Sequence, residues 1–419
     1  MAKGVTDMTD AMGAAPTGPS PALSAMSFHF SRRRRRGFGG AFGHWALRLL
    51  PALALAAALA GTSSAALTIS DGASAIHSAS NELSGITWAG GDLYYAVDDR
   101  ENALYRLNLT IGDNGSISCS LGESVRLRHS HDTEGCAWDP CCGTVWVAME
   151  RTQTPIREYD PATGAALRSA PLPALMVESR RLNYGLEALT ISRDGMEMWT
   201  CNEEALTVDG PRSTVSAGSV VRLTRFTREV PGGDWKLDGQ WAYQTEPLRH
   251  DSSLASSPRS GVAGLCALPD GTLLVLEREF SGASISSAIF AVDFGGAADI
   301  SQMPSLEGAV FSKVGKKCLW RRGSRISVRS RPSLLNYEGI CLGPGLGEDA
   351  DALVIIADAG IFGKPCVSTL ILRGLGDTAG AGRIPGLGAG AGLGPSCGAP
   401  GSGGYPVPAA EEADEIVGR

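Results

Sequence analysis

Short apolar runs separated by turn residues make up most of the sequence between Leu67 and Gly374. The runs show no sustained helical periodicity, and Gly, Asp, Asn and Pro stand between them, as in β-strands that are joined by short turns. The 54 glycines and the aromatic share of 6% also favour turns and strands over helices. The pattern therefore predicts an all-β domain over residues 67–376.

One two-strand unit recurs five times in this region. Its copies read ELSGITW with LYYAVDDR, TEGCAWD with VWVAMER, GLEALTIS with MWTCNEE, GVAGLCAL with LLVLER, and NYEGICLG with LVIIAD. Successive copies are 50, 53, 76 and 75 residues apart, and a third apolar run follows most of them, at 103–109, 219–226, 287–294 and 368–375. Antiparallel units of this size are typical of β-propeller blades.

The length of the region sets the expected number of blades. At roughly 50 residues a blade, a domain of about 310 residues predicts six blades, of which five are visible as repeats. The sixth blade would lie hidden in one of the longer spacings, or would be shared between the two ends of the domain.

Acidic side chains occupy two positions of the repeat. The residue before the Gly or Ala of the first strand is Ser84, Glu134, Glu187, Ala263 and Glu338 in turn. The acid that closes the second strand is Asp98, Glu150, Glu203, Glu277 and Asp358. An antiparallel hairpin brings these two positions together, and first strands line the channel of a propeller, so the acids are expected at one mouth of the channel.

Clustered carboxylates raise one another's pKa values or require a cation. Three blades pair two acids, and carboxylate oxygens suit Ca²⁺: the pairs are Glu134 with Glu150, Glu187 with Glu203, and Glu338 with Asp358. Arginines that follow the acids, namely Arg100, Arg151 and Arg278, could also compensate them or donate to a phosphate or carboxylate ligand. Alternatively, glutamates at strand starts accept backbone N–H groups of neighbouring blades and bind no ligand.

Two histidines precede the second copy of the repeat. His129 and His131 are one residue apart, in the segment that leads to Glu134. On an extended chain they could ligate a transition metal. A solvated polar loop is the alternative interpretation.

The two ends of the chain differ from the repeat region. Residues 1–66 contain the basic run Arg32–Arg36, the apolar run Ala46–Ala60 and small residues after it, which predicts an export signal. The apolar run is too short for a stable membrane span. We therefore expect an exported protein that is secreted, periplasmic or in an organelle lumen. Residues 377–419, rich in Gly and Pro, predict a disordered tail.

Removal of residues 1–66 would make the chain more acidic and would leave all of its cysteines in place. Residues 1–66 hold seven Lys/Arg and two Asp/Glu, which leaves 30 against 42 and a net charge of −12 in place of −7. This balance argues against nucleic-acid binding. All 10 cysteines lie after the segment, and in an exported protein an even number of cysteines favours disulfides.

The repeat also resembles a known family, the phytase-like domain named for the esterase-like activity of phytase. The stretches that carry the resemblance are NELSGITW with LYYAVDDR, NYGLEALTISRDG with CNEEALTVDG, GVAGLCALPDGTLLVLEREFSG, and NYEGICLGPGLGEDADALVIIAD. The resemblance implies an exported β-propeller with a phosphate-ester hydrolase activity. It implies bound Ca²⁺ at Glu134, Glu187, Glu203, Glu338 and Asp358. It also implies phosphate contacts at Arg100, Arg151 and Arg278. The chain departs from the family pattern at Ala263 and at Ala359, which follows Asp358.

Three functions fit these observations. The first is a metal-assisted (Ca²⁺) hydrolase that acts on a phosphate or other ester. The second is a non-catalytic, extracytoplasmic propeller that binds a ligand or partner. The third is a lactonase-like propeller with a single metal. In each case we expect a monomer that binds a small ester or phosphate ligand.

Overall fold

The computed structural model describes residues 66–77, 82–153, 155–249, 258–281, 284–325, 335–358 and 365–375. These ranges contain β-strands throughout and one short helix, α1, at Ala174–Glu178. The strands are β1 Thr68–Ile76, β2 Leu83–Gly90, β3 Leu93–Asp98, β4 Ala103–Ile111, β5 Ile117–Arg126, β6 Thr133–Asp139, β7 Thr144–Met149, β8 Ile156–Tyr159, β9 Ala166–Ser169, β10 Leu186–Ile191, β11 Glu197–Asn202, β12 Val220–Thr227, β13 Lys236–Gln244, β14 Arg259–Ala267, β15 Leu273–Phe280, β16 Ser284–Asp293, β17 Gly315–Arg325, β18 Asn336–Gly345, β19 Ala350–Asp358 and β20 Cys366–Arg373.

The strands form five antiparallel sheets of four strands each, which are the blades of a β-propeller. Blades 1 to 4 take consecutive strands, β2–β5, β6–β9, β10–β13 and β14–β17. Blade 5 has the order β1-β20-β19-β18, so the first strand of the domain closes the last blade. The predicted all-β propeller and its repeat are confirmed, and each copy of the repeat forms the two inner strands of one blade.

The expectation of six blades is wrong for the described residues. The two longer spacings hold connections, not an extra blade: residues 203–219 join β11 to β12, and residues 294–314 join β16 to β17. Part of the second connection packs against blade 3 in a small apolar cluster of Ala242, Ile300 and Leu306. A blade shared between the two ends of the domain was one of the two places expected for a sixth blade. The ends do share a blade, but it is the fifth, which β1 completes by pairing with β20.

Apolar side chains fill the space between neighbouring blades. Each pair of adjacent blades buries one cluster; for example, Val97 and Leu104 of blade 1 meet Val145 and Val147 of blade 2. Clusters of the same kind join blades 2 to 3, 3 to 4, 4 to 5 and 5 to 1. Burial of apolar area between blades is thus repeated around the ring and is the main force that closes it.

Every innermost strand carries a β-bulge at the same position of the repeat. One extra residue interrupts the pairing of β2 with β3, β6 with β7, β10 with β11, β14 with β15, and β18 with β19. The interruption falls at the residue before the Gly or Ala of the repeat, which is Glu in three blades, Ser84 in blade 1 and Ala263 in blade 4. A Cβ on Gly135 would lie 2.8 Å from the carbonyl oxygen of Glu187, and one on Gly339 would lie 2.7 Å from that of Ser84. Glycine therefore lets neighbouring inner strands approach closely at the bulge.

No disulfide joins any of the nine cysteines of the described residues, so the expected disulfides are not found there. Cys266 shows another use. It lies at the repeat position of Thr87 and Thr190, whose hydroxyls accept the backbone N–H of Trp138 (2.8 Å) and Ala267 (3.2 Å) in the next blade. Cys266 is likewise hydrogen-bonded to the backbone of Leu342 in the next blade. A small polar side chain at this position joins blades without a covalent bond.

The predicted export signal (residues 1–66) and tail (residues 377–419) lie outside the described residues, apart from Ala66. Among the residues that are described, no helix has the length and apolar character needed to cross a membrane.

Candidate metal centre

Two rings of side chains surround one mouth of the channel. The first ring consists of the bulged residues of the inner strands, namely Ser84, Glu134, Glu187, Ala263 and Glu338. The bulge sets these side chains apart from the regular alternation of the strand. The carboxylates of Glu134, Glu187 and Glu338 lie close enough to raise one another's pKa values. The predicted gathering of first-strand acids at one mouth is therefore found.

The second ring consists of the residues that end the second strands. The strand register defines this second ring, because each member pairs with the residue two positions before the bulge of the first strand. For example, the N–H of Glu150 donates to Asp132 O (2.9 Å), and the N–H of Glu203 donates to Gly185 O (2.8 Å). The members are Asp99, Glu150, Glu203, Arg278 and Asp358. The repeat predicts Asp98 and Glu277 at these positions, and both assignments are wrong by one residue.

Alternation along a strand explains this error, since neighbouring residues face opposite sides. Asp98 is fully buried and accepts the N–H of Glu101 at 2.6 Å. Glu277 accepts the hydroxyl of Tyr243 at 2.6 Å and the ammonium of Lys316 at 2.7 Å. Both acids therefore belong to the blades, and the ring position of blade 4 carries an arginine.

Arg278 neutralises one half of the mouth. Its guanidinium donates to Glu203 at 2.7 Å and to Glu338, and the side chains of Arg278 and Glu203 are 4% and 1% exposed. Burial opposes the charge on Arg278, but the carboxylates of Glu338 and Glu203 raise the pKa of the guanidinium well above its ordinary value. Asn336 also donates to Glu338, at 2.7 Å. In this half a cation of the chain itself compensates the buried acids.

The opposite half has no buried cation among the described residues. Oxygens of Asp132, Glu134 and Glu150 all lie within 4.8 Å of one another. The guanidinium of Arg151 lies 2.8 Å from Asp132 and 3.5 Å from Glu150, but it is 44% exposed and therefore screened by solvent. Neither Glu134 nor Glu187 makes a side-chain hydrogen bond in the described part of the chain. We call Asp132, Glu134 and Glu150 the uncompensated cluster.

The pKa values reflect this difference in compensation. Burial, together with a smaller effect of Asp132, raises the pKa of Glu150 to about 7 against the opposing hydrogen bond from the N–H of Gly185 (2.9 Å). Burial raises the pKa of Glu134 well above its ordinary value, and the charges of Glu187 and Glu338 add to the effect. Burial also raises the pKa of Asp99 to about 7, with Glu338 and Glu82 contributing. These groups take up protons or a cation at neutral pH.

The donor set of the uncompensated cluster suits a hard cation. Its ligands are carboxylate oxygens, and three carboxylates can supply up to about six of the 6–8 oxygens that Ca²⁺ takes. Asp132 was absent from the predicted ligand set, although it lies two residues before Glu134, in the segment that His129 begins. Glu150 combines both predicted roles, because one of its oxygens accepts the Gly185 amide of the next blade.

Other predicted residues lie at or near the same mouth with different contacts. Arg100 pairs with Glu82 at 2.8 Å and is 72% exposed. Asp358 contacts Asn336 at 3.4 Å. His129 and His131 are exposed, and neither belongs to a metal-like group of side chains in the described residues. The polar-loop interpretation fits these two histidines.

A second acidic cluster in blade 2 serves as an internal comparison. Asp139, Cys142 and Glu158 also lie within 4.8 Å of one another. Here Arg228 binds Asp139 with two hydrogen bonds of 2.7 and 2.8 Å, and Arg168 binds Glu158 at 2.6 Å. Arginines of the chain thus occupy the place that a metal ion would take.

Comparisons with known proteins identify the family. The model of the family described as "Phytase-like: Esterase-like activity of phytase" matches residues 79–359, which is more than half of the chain. The chain belongs to this family. A comparison with curated proteins gives no match.

Solved structures give weaker similarities to this phytase-like chain. A streptogramin B lyase is 12% identical, with 74% of this chain and 98% of that chain covered and a TM-score of 0.29. The PQQ-bound aldose sugar dehydrogenase of Streptomyces coelicolor is 10% identical, with coverage of 74% and 99% and a TM-score of 0.35. A gluconolactonase of Xanthomonas campestris is 15% identical, with coverage of 73% and 89% and a TM-score of 0.29. Similarities this low carry no argument about chemistry.

Proposed function

We propose that this phytase-like propeller is a Ca²⁺-dependent hydrolase of phosphate esters or other small esters. The observation that carries the proposal is the uncompensated cluster of Asp132, Glu134 and Glu150 at the channel mouth. It consists of three clustered carboxylates, of which Glu150 is buried and the other two are half-buried, whereas the neighbouring acids of the same mouth are compensated by Arg278. Membership of a family described by esterase-like activity supports the reaction class.

The residues of the mouth have separate roles in this proposal. Asp132, Glu134 and Glu150 hold the cation, with Glu187 beside them from the next blade. When bound there, Ca²⁺ would polarise an ester oxygen and lower the pKa of a water molecule. Arg151 and Arg100 are 44% and 72% exposed beside the mouth, so they can bind the anionic part of a substrate. Arg278 is committed to Glu203 and Glu338 and compensates their charge in its half of the mouth.

A lactonase-like reaction with a single metal is a second candidate. It is favoured by the presence of one uncompensated carboxylate cluster in the described ranges, since the other cluster is occupied by arginines. A non-catalytic propeller that binds a ligand through the same cation is the remaining alternative. Export to the cell exterior, the periplasm or an organelle lumen, a monomeric state and a small-molecule ligand are part of the same proposal.

A hydrolysis screen tests the proposal. Purified protein would be assayed with phosphomonoesters, lactones and aryl esters, in Ca²⁺ and in EDTA, beside Glu150→Gln and the control Glu229→Gln. Glu229 is a suitable control because it is exposed and its ion pair is with the surface residue Lys236. We expect Ca²⁺-dependent turnover that Glu150→Gln removes and Glu229→Gln retains. Absence of turnover on every substrate, with Ca²⁺ bound, would refute a hydrolase and favour the binding propeller.

A further inference from the structure

A groove of about 510 Å³ between blades 1 and 2 has a positively charged lining. Arg126 and Arg128 line it at the end of β5, together with His129 and Ser130, and Thr163 of blade 2 forms the opposite side. No acidic residue is among its lining residues. This is unusual in a chain whose net charge is −7.

The two arginines of the groove have no ion pair in the described part of the chain. Both are exposed. Several arginines elsewhere in the blades are committed to carboxylates, as Arg222 is to Asp209 at 2.7 Å and Arg168 is to Glu158 at 2.6 Å. Guanidinium groups without a carboxylate partner are free to donate two parallel hydrogen bonds to an oxyanion.

Backbone hydrogen bonds fix the walls of the groove. The N–H of Arg128 donates to Gly164 O at 2.9 Å, and the N–H of Leu127 donates to Asn102 O at 2.9 Å. The guanidinium of Arg157 donates to His129 O at 2.6 Å, which holds the loop between the blades. The groove therefore exists before a ligand binds, so that little ordering of the backbone opposes binding.

One polar atom of the lining lacks a hydrogen-bond partner among the described residues. It is the buried side-chain oxygen of Asn102, whereas the hydroxyl of Thr163 accepts the N–H of Ala165 at 3.3 Å. Asp160, in the turn beside Thr163, is held by the N–H groups of Ala162 (2.8 Å) and Thr163 (3.0 Å) and does not line the groove. The lining thus offers cations and hydroxyls, with one amide to contact the uncharged part of a ligand.

We propose that this groove binds a small polyanion that carries two or more phosphate groups. Two unpaired guanidinium groups match two phosphates, which arginine binds through forked hydrogen bonds. The volume lies in the range of small-molecule sites and exceeds the needs of a single inorganic ion. Binding here requires no cation at the channel mouth, so the groove can be tested with metal removed.

Titration calorimetry with tripolyphosphate, in EDTA and at low ionic strength, tests the proposal. We expect saturable binding that weakens with added salt, and an affinity lowered at least about tenfold in Arg126→Ala/Arg128→Ala. Arg106→Ala is the matched control, because Arg106 is an exposed arginine of the same blade outside the groove. Absence of saturable binding would overturn the proposal, as would an equal loss in Arg106→Ala.

Citrate provides the second arm of this experiment. Tripolyphosphate should bind at least about tenfold more tightly than citrate to the unaltered protein. Equal binding of the two anions, lost together in the double variant, would overturn the assignment of phosphate. Both arginines are exposed, so the variants should fold, and a thermal unfolding curve of each checks this.

Discussion

The two halves of the channel mouth solve the same electrostatic problem in different ways. On one side Arg278 lies between Glu203 and Glu338 and compensates them within the fold. On the other side oxygens of Asp132, Glu134 and Glu150 lie within 4.8 Å of one another, and among the described residues the half-exposed Arg151 is the cation that pairs with them. This difference shows that a ring of carboxylates does not by itself indicate a metal site. A metal site is indicated where the chain provides no buried cation to compensate the carboxylates.

The cluster in blade 2 strengthens this comparison. Asp139 and Glu158 satisfy the same distance criterion as the mouth acids, but Arg228 and Arg168 bind them. Buried acids that already have an arginine partner gain little from a cation, whereas uncompensated acids must be protonated or bind one. Charge compensation by a buried arginine therefore distinguishes a structural cluster of acids from a cluster that is a candidate to bind a cation.

Removal of Arg278 should have the largest effect. Arg278→Met leaves Glu203 and Glu338 buried without a counter-charge, and loss of one partner of a buried ion pair lowers the free energy of unfolding by about 3–5 kcal/mol. Denaturant unfolding at neutral pH measures it. A triple variant that adds Glu203→Gln and Glu338→Gln should recover part of the loss, and a single variant within about 1 kcal/mol of the unaltered protein would break the comparison.

The same substitution should act differently in the two halves. Glu203→Gln removes a charged hydrogen-bond partner of Arg278 and should lower the free energy of unfolding by about 2–3 kcal/mol. Glu134→Gln should change it by no more than about 0.5 kcal/mol without metal, because the amide replaces a carboxyl that already holds a proton. Paired unfolding curves in EDTA measure both. Equal losses in the two variants would show that the halves are alike.

The pH dependence of stability should come from the uncompensated half. The pKa of Glu150 is raised from 4.5 to about 7 in the folded protein, so the folded state holds the proton more tightly than the unfolded state. The stability that this proton provides is complete below about pH 4.5 and is lost as the pH rises through about 7. Melting temperatures in EDTA should fall over this window. Glu150→Gln should flatten the fall, and an unchanged slope would count against the assignment.

The smallest effect is expected at Arg151. Its ion pairs with Asp132 and Glu150 are half-exposed, so Arg151→Ala should change the free energy of unfolding by less than about 1 kcal/mol. If Arg151 contacts the anionic part of a substrate, the same variant should raise KM for a phosphomonoester and leave KM for an uncharged ester unaltered. An equal rise for both esters would assign Arg151 to the cation site instead.

Much of the fold could be predicted from the sequence, because the inner hairpins repeat and their apolar runs face both neighbours. The number of blades could not, since connections such as 294–314 lengthen the spacing without adding strands. The acids of the mouth were predicted for blades 2, 3 and 5. In blades 1 and 4 the choice between Asp98 and Asp99, or Glu277 and Arg278, depends on strand register, which similarity of letters does not determine.

The sequence also could not predict which arginine compensates the buried carboxylates. Arg278 follows an acid just as Arg151 does, yet one is buried between two carboxylates and the other is half-exposed. Cys266 gave a similar ambiguity, since an exported protein with an even number of cysteines favours disulfides and the structure uses this thiol between blades. Contacts across blades, which only the closed ring creates, decide both cases.

Calcium binding to the EDTA-treated protein tests the central claim most directly. Titration calorimetry at pH 7.5 would compare the unaltered protein with Glu134→Gln, Glu150→Gln and the surface control Glu229→Gln. The account predicts one saturable Ca²⁺ site per chain whose affinity falls at least about tenfold in Glu134→Gln and in Glu150→Gln, with Glu229→Gln unaffected. No saturable binding, or the same affinity in all four proteins, would contradict it.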